Sequence, residues 1–231
     1  MPHRLTIRCQ VNFRMTRGVS SSLCPRERVM GFSRRWLLGA ALGGLASAVA
    51  RPGFTLIGGV AGSVPPGLLR RALDALELHG DLIAHRDFLG IADFSLPSRS
   101  PRFHILNLTD GSVRSHWVAH GRGSDPAHTG WLERFSNEPR SNATSAGTYR
   151  TDASYLGAHG HSLRLEGLDP TNSNAAARAI VVHGAWYVSE EIIGRCGMLG
   201  RSEGCFAIAH ASLEEVLTRL GPGRLIYAGK A

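Results

Sequence analysis

Cys205 and His183 sit in the two segments of this chain best suited to covalent chemistry. Cys205 lies in Gly200-Arg201-Ser202-Glu203-Gly204-Cys205-Phe206-Ala207, and His183 opens His183-Gly184-Ala185-Trp186-Tyr187. Glycine ahead of the cysteine lets the backbone take a tight turn that a residue with a Cβ could not. Such a turn can aim successive N–H groups at one point and form an oxyanion hole beside the thiol. The thiolate is the reactive form, so Cys205 needs an electropositive or basic neighbour. A histidine at a strand end, its ring oriented by a backbone carbonyl, suits that task. The pair predicts acyl-transfer chemistry at a low-pKa thiol that alkylates far faster than Cys196.

Plainer readings stand beside this one. A lone cysteine is often a small buried hydrophobe, and Cys196, with no motif around it, is read that way. A Cys196–Cys205 disulfide would silence the thiol, and geometry decides whether it forms. His183, Cys196, Cys205 and His210 are separated by 12, 8 and 4 residues, spacings that match no compact zinc site.

The elements that must position these residues are mostly strands. Leu68, Leu69, Ala72, Leu73 and Leu76 recur at helical spacing, and His79-Gly80 closes that helix. Residues 81–89 are a candidate continuation of it. Residues 103–108, the turn Thr109-Asp110-Gly111-Ser112 and residues 113–120 read as a β-hairpin. The long polar stretch 121–148 is expected to be functional rather than idle. Strand alternation returns at 162–166, and the β-branched run Ile180-Val181-Val182 delivers His183 at its end. Ser212-Leu213-Glu214-Glu215 fits a capping box that opens a helix through Leu220, and Gly221-Pro222-Gly223 stops it before a last strand. The reading is a mainly β (α+β) domain with an N-terminal helix and a short C-terminal one.

Charge divides the chain. Of a net +8, residues 1–50 carry eight Arg against Glu27, whereas residues 51–231 carry 17 Arg, Lys230 and 17 acids. The body is therefore almost neutral and lacks the basic footprint of a nucleic-acid binder. Ser33-Arg34-Arg35-Trp36-Leu37-Leu38-Gly39, followed by the small apolar run to Ala50, resembles a twin-arginine export signal with cleavage after Ala48 or Ala50. Met30 is the expected start codon. The apolar run from Trp36 is 15 residues, short of the ~20 that span a bilayer, so no membrane span is expected once the leader is cleaved. Residues 1–50 are read as leader, 51–66 as linker and 67–231 as the catalytic domain, with a periplasmic or secreted destination.

The pattern His-Gly, a gap of about 20 residues, then Ser-x-Gly-Cys resembles the L,D-transpeptidase catalytic domain family, in a divergent proteobacterial branch. Similar stretches run in order along residues 67–228. They include Ile91-Ala92-Asp93-Phe94-Ser95, Val118-Ala119-His120-Gly121, Arg134-Phe135-Ser136-Asn137 and Ala143-Thr144-Ser145-Ala146-Gly147. His159-Gly160-His161-Ser162-Leu163-Arg164-Leu165 and Ile180-Val181-Val182-His183-Gly184-Ala185-Trp186-Tyr187-Val188 complete them. The resemblance implies a β-sandwich or barrel that binds peptidoglycan stem peptides as a monomer, without metal or organic cofactor.

In that family the cysteine attacks the carbonyl between meso-diaminopimelate and the terminal D-alanine of a tetrapeptide stem. D-alanine leaves and a thioester forms. An amine of a second stem then takes the acyl group, giving a 3→3 crosslink, or water takes it, giving an L,D-carboxypeptidase. Carried over, Cys205 is the nucleophile, His183 the base, Gly204 and Cys205 the oxyanion donors, and Ser202 the brace of the turn. Gly184, Trp186, Tyr187, Arg201, His159 and Ser145 are the candidate substrate-lining residues.

Two departures stand out. Ala207 occupies a position where many members carry an arginine suited to a substrate carboxylate. Glu203, a carboxylate near the thiol, is expected to point outward, offset by Arg201 or Arg195. Two other classes share these features. A secreted thiol peptidase would use the same pair, although papain-like chains place Cys before His. A non-catalytic wall-binding module would leave the thiol idle.

Overall fold

The computed structural model describes residues 63–231; the leader and most of the linker lie outside them. Helix α1 (Pro66–Leu78) comes first and is followed by a single 3₁₀ turn, Gly80–Leu82. The strands are β1 (Phe88–Asp93), β2 (Phe103–Asn107), β3 (Val113–His116), β4 (Val118–Ala119), β5 (Gly147–Gly157) and β6 (Gly160–Gly167). The remaining elements are β7 (Val181–Gly184), α2 (Glu190–Cys196), β8 (Phe206–Ile208), α3 (His210–Arg219) and β9 (Leu225–Gly229).

All nine strands form one sheet in the order β3-β2-β1-β9-β5-β6-β7-β8-β4. Its two edges, β3 and β4, are separated in the chain by Trp117 alone. The sheet must therefore curl until its edges meet, giving a nearly closed barrel. Arg102 bridges that seam: its backbone N–H donates to His116 O at 3.0 Å, and its guanidinium binds Val118 O through Nε at 3.1 Å and Nη2 at 3.0 Å.

Side-chain alternation sorts the strands into two packed faces. Ala92, Phe103, Ile105, Tyr149, Leu163, Val182, Phe206 and Ile226 fill the interior, where Val216, Leu217 and Leu220 of α3 join them. Leu89, Ile91, Leu106 and Leu225 point the other way and pack beneath Leu68, Leu69, Ala72 and Leu76 of α1. A third cluster joins Ala119, Ala185, Val188, Leu199 and Ala207.

The mainly β class and both expected helices are present, with three differences. Residues 81–89 do not extend α1: after the 3₁₀ turn the chain enters β1, whose parallel pairing with β9 and antiparallel pairing with β2 outweigh local helical character. The hairpin β2–β3 forms with Phe103 opposite His116, but residues 118–119 leave it and pair with β8. Helix α3 begins at His210 behind Ala209 with no side-chain cap, so Ser212 lies inside the first turn rather than capping it. A side-chain cap appears instead at α2, where Ser189 accepts from Ile192 N–H at 3.3 Å and Gly197, at φ 75°, ends the helix.

Candidate active site

Strands β7 and β8 run parallel, with His183 beside Ala207. Cys205 immediately precedes β8, so the histidine and the cysteine occupy neighbouring strands two residues out of step. The turn before Cys205 is closed by Ser202, whose hydroxyl donates to Cys205 O at 2.7 Å and accepts the Gly204 N–H at 3.1 Å. Gly204 has φ 118°, and a Cβ there would stand 2.8 Å from Ala143 O and from Ile180 Cδ1. Both the dihedral and the space demand glycine.

The long connection 120–146 between β4 and β5 clamps this turn. Ser202 N–H donates to His120 O at 2.9 Å, Arg122 N–H to Ser202 O at 2.8 Å, and Gly123 N–H to Asn142 O at 2.8 Å. Thr144 Oγ1 accepts the Gly121 N–H at 2.9 Å. Behind the clamp, Arg102 Nη2 lies 2.7 Å from His120 Nδ1, and His120 Nε2 lies 3.4 Å from the buried Asp125 carboxylate.

The ring of His183 is fixed by its own neighbour. Its Nδ1 lies 2.9 Å from Gly184 O, which makes Nδ1 the protonated nitrogen and leaves the Nε2 lone pair for proton transfer. His159, at the tip of the β5–β6 hairpin, stacks on it with ring centroids 4.4 Å apart. Burial pushes the His183 pKa down against the pull of the Gly184 carbonyl, and His159 and His210 push it further down. The imidazole is therefore neutral at neutral pH, the form that accepts a proton.

Cys205 carries a free thiol, so the bridge to Cys196 is not formed. Its Sγ donates to Ala179 O at 3.5 Å, and no hydrogen bond joins it to His183 in this resting arrangement. Burial pushes the thiol pKa up; the Val181 N–H and Arg178 oppose this, while Glu203 adds to it. The expected low-pKa thiol is thus reversed: the resting pair is thiol and neutral imidazole, not thiolate and imidazolium. Alkylation of Cys205 by iodoacetamide is accordingly expected to follow a pH midpoint above the ordinary thiol value, because the reactive thiolate appears only as pH rises through the raised pKa. A midpoint below that value, read by mass spectrometry of the Cys205 peptide, would contradict this electrostatic picture.

The domain that carries these residues coincides with a known sequence family. The family described as L,D-transpeptidase catalytic domain matches residues 62–228. The chain belongs to that family. Among solved structures, the L,D-transpeptidase from Mycobacterium smegmatis is similar at 17% identity and TM-score 0.38, over 62% of this chain and 58% of that one. L,D-transpeptidase 3 from Mycobacterium tuberculosis, in complex with a faropenem-derived adduct, is similar at 13% identity and TM-score 0.41, over 62% and 60%. The helical cell shape determining protein Pgp2 from Campylobacter jejuni is similar at 13% identity and TM-score 0.43, over 72% and 57%. The chain spans about three fifths of the length of these structures. Comparison with curated proteins gave no match.

Within this L,D-transpeptidase domain the substrate-lining candidates separate by position. Trp186 is 62% exposed. Tyr187 is half-buried against Ala185, Val188 and Leu199, and burial, with Cys205 and Glu203 nearby, raises its pKa. Gly184 is buried; a Cβ there would stand 2.5 Å from His210 Nδ1, so this glycine gives room to α3 and orients the His183 ring through its carbonyl.

Two of the candidates are committed to the protein itself. Ser145 is buried, donates to Ser136 O at 2.9 Å and accepts from Arg178 Nη1 at 2.7 Å. Arg201 spends its guanidinium on the carbonyls of Asp125 and Pro126. Glu203 is offset by neither Arg201 nor Arg195: it pairs with Arg122 at 3.0 Å, and Arg195 pairs with Glu191. The Gly204 N–H, bound to Ser202 Oγ, is not available as an oxyanion donor here, whereas the Cys205 N–H takes no acceptor among the described residues.

Sequence reasoning missed Arg178 and Ala179. Arg178 lies against the Gly204 turn, and Ala179, at φ 53°, holds the left-handed conformation that aims its carbonyl at the Cys205 thiol. Backbone strain of this kind collects where a site needs it. Asn174-Ala175-Ala176-Ala177-Arg178-Ala179 reads as a helical or featureless run, and no motif flags it. Among the described residues no group of three or more His, Cys, Asp or Glu is placed to hold a metal ion, and no helix is long and apolar enough to cross a membrane.

Proposed function

We propose that this chain is a cysteine-dependent L,D-transpeptidase of peptidoglycan, with residues 67–231 as its catalytic domain and residues 1–50 as a leader removed on export to the periplasm or beyond. The observation that carries the reading is a free thiol on a Ser202-braced glycine turn that leads into β8, the strand paired with the β7 strand of a histidine whose Nδ1 is tied down and whose Nε2 is left for proton transfer. Catalytic contacts commonly tighten only when substrate binds.

In the first half-reaction His183 Nε2 takes the thiol proton as Sγ attacks the carbonyl that joins meso-diaminopimelate to D-alanine. The Cys205 N–H, free of protein acceptors, receives the developing oxyanion. The C–N bond breaks, His183 returns the proton to the departing D-alanine amine, and the stem remains on Cys205 as a thioester. In the second half-reaction the amine of another stem, or water, attacks the thioester and gives its proton to His183. The thiol is then restored as the C–S bond breaks.

The test is intact mass of the full-length protein after incubation with purified disaccharide-tetrapeptide. The expected adduct equals the donor minus D-alanine, maps to the Cys205 peptide, and is accompanied by free D-alanine. If folded, reduced protein gives neither adduct nor D-alanine, the transpeptidase reading is wrong.

A further inference from the structure

Arg178 places a partly uncommitted cation at the nucleophile turn. Its Nη1 donates to Ser136 O at 2.8 Å and to Ser145 Oγ at 2.7 Å, and its Nη2 donates to Ala143 O. That leaves Nε–H and one Nη2–H with no acceptor among the described residues. The guanidinium lies against the residue that precedes the cysteine, since a Cβ on Gly204 would be 3.1 Å from Arg178 Nη2. The next carbonyl in the chain, Ala179 O, is the one the Cys205 thiol contacts.

The neighbouring arginines are spent elsewhere: Arg122 on Glu203, Arg201 on the carbonyls of Asp125 and Pro126. Ala207, where the sequence led us to look for a carboxylate-binding arginine, is buried in β8 and carries no charge.

The substrate chemistry supplies the other half. In a donor stem cleaved one residue from its end, the free carboxylate carbon is three bonds from the carbonyl under attack. Backbone bond lengths cap that separation at about 4 Å. A carboxylate must therefore sit beside the thiol whenever the thiol reaches its target, in a half-buried site where an unmatched charge is costly.

We propose that Arg178 binds the free C-terminal carboxylate of the donor stem and thereby confines the enzyme to removing a single terminal residue. The inference rests on the reading of Cys205 as a nucleophile toward stem peptides. Arginine suits the role because its planar fork meets a carboxylate with two parallel hydrogen bonds. Three protein anchors have already frozen its side chain, so little further entropy is lost on binding. Ser145, through its contact with Nη1, acts here as a positioning residue and not as a substrate contact. Burial lowers the Arg178 pKa, but Tyr149 and Cys205 oppose this, and the group stays a cation at neutral pH.

The experiment compares two donors, a disaccharide-tetrapeptide with a free C-terminus and its C-terminal carboxamide, on full-length wild type, Arg178→Gln and Arg178→Lys. Acylation rate is read by intact mass, and a cooperative thermal transition followed by circular dichroism reports that each variant is folded. Wild type is expected to prefer the free acid by about 100-fold, the scale of a charge-assisted contact. Arg178→Gln is expected to lose most of that ratio by slowing on the acid alone, with Arg178→Lys between.

A wild-type ratio near one overturns the inference, as does a folded Arg178→Gln that keeps the wild-type preference. If Arg178→Gln fails to fold, the acid-to-amide ratio in wild type and Arg178→Lys decides. Absence of acylation by either donor in wild type would instead remove the underlying transpeptidase reading, and this inference with it.

Discussion

Cys205→Ala is expected to reduce D-alanine release from a tetrapeptide donor to background, and His183→Gln to slow it by about 10²–10⁴-fold. Without sulfur no thioester can form, so the first loss is complete. The second follows from the electrostatics of the pair. Burial keeps the Cys205 thiol protonated and His183 neutral, so at neutral pH the nucleophile must be generated by proton transfer at the moment of attack. Glutamine fills much of the imidazole's volume and can still donate to Gly184 O, but it cannot take a proton.

The two variants should part company at high pH. Above the raised thiol pKa the thiolate forms without a base, and His183→Gln is expected to alkylate with iodoacetamide at close to the wild-type rate. The pH dependence of wild-type acylation follows the same logic. A base with a lowered pKa stays active below the usual histidine value of 6.5, and activity is lost as pH falls through the shifted value. An acid limb centred above 6.5, or a His183→Gln variant within threefold of wild type at neutral pH, would show that His183 is not the base.

The proposed nucleophile, the proposed base and the Ser202 brace stand out in the sequence because their pattern is local. Ser202, Gly204 and Cys205 are close in sequence, and the Ile180-Val181-Val182 run announces the strand that ends at His183. What the chain does not spell out is made by distant segments meeting. Arg178 reaches the site through a glycine turn 26 residues later and a loop 35 residues earlier, and no motif in its own surroundings marks it. Ser145 was a substrate-lining candidate through the family-like stretch Ala143-Thr144-Ser145-Ala146-Gly147. Here its hydroxyl is sealed between Ser136 O and Arg178.

Strand β1 was hidden for a different reason. Both its faces are buried, one by α1 and one by the barrel interior, so the period-two signature that marks a half-exposed strand is absent. The jump of the chain from β3 to β4 across the seam was equally unreadable: Val113 to Ala119 looks like one strand, and its division at Trp117 is a property of the closed sheet.

That seam is where the largest loss of stability is expected. Arg102 is fully buried. Its guanidinium binds Val118 O twice, Leu96 O at 2.7 Å and His120 Nδ1 at 2.7 Å, and it lies 4.9 Å from the centre of the Phe94 ring. Burial pushes its pKa down to about 9 against the attraction of Asp93 and Asp125, so the cation persists at neutral pH. Methionine matches much of the apolar stem but none of the donors. Arg102→Met would strand the Val118 and Leu96 carbonyls and leave the buried carboxylates of Asp93 and Asp125 without their cation. The cost of breaking such a network from one side is about 3–5 kcal/mol. Urea unfolding at neutral pH should show it as a lower midpoint with an unchanged slope. Arg102→Lys should recover only part, because an ammonium cannot reach both edges of the seam and His120 together. The loss should also reach the active site: His120 O holds the Ser202 N–H at 2.9 Å, so a loosened seam frees the turn that aims Cys205. Acylation in Arg102→Met is therefore expected to fall even at temperatures where the protein remains folded. A loss of stability under 1 kcal/mol would mean that the barrel edges hold without this arginine.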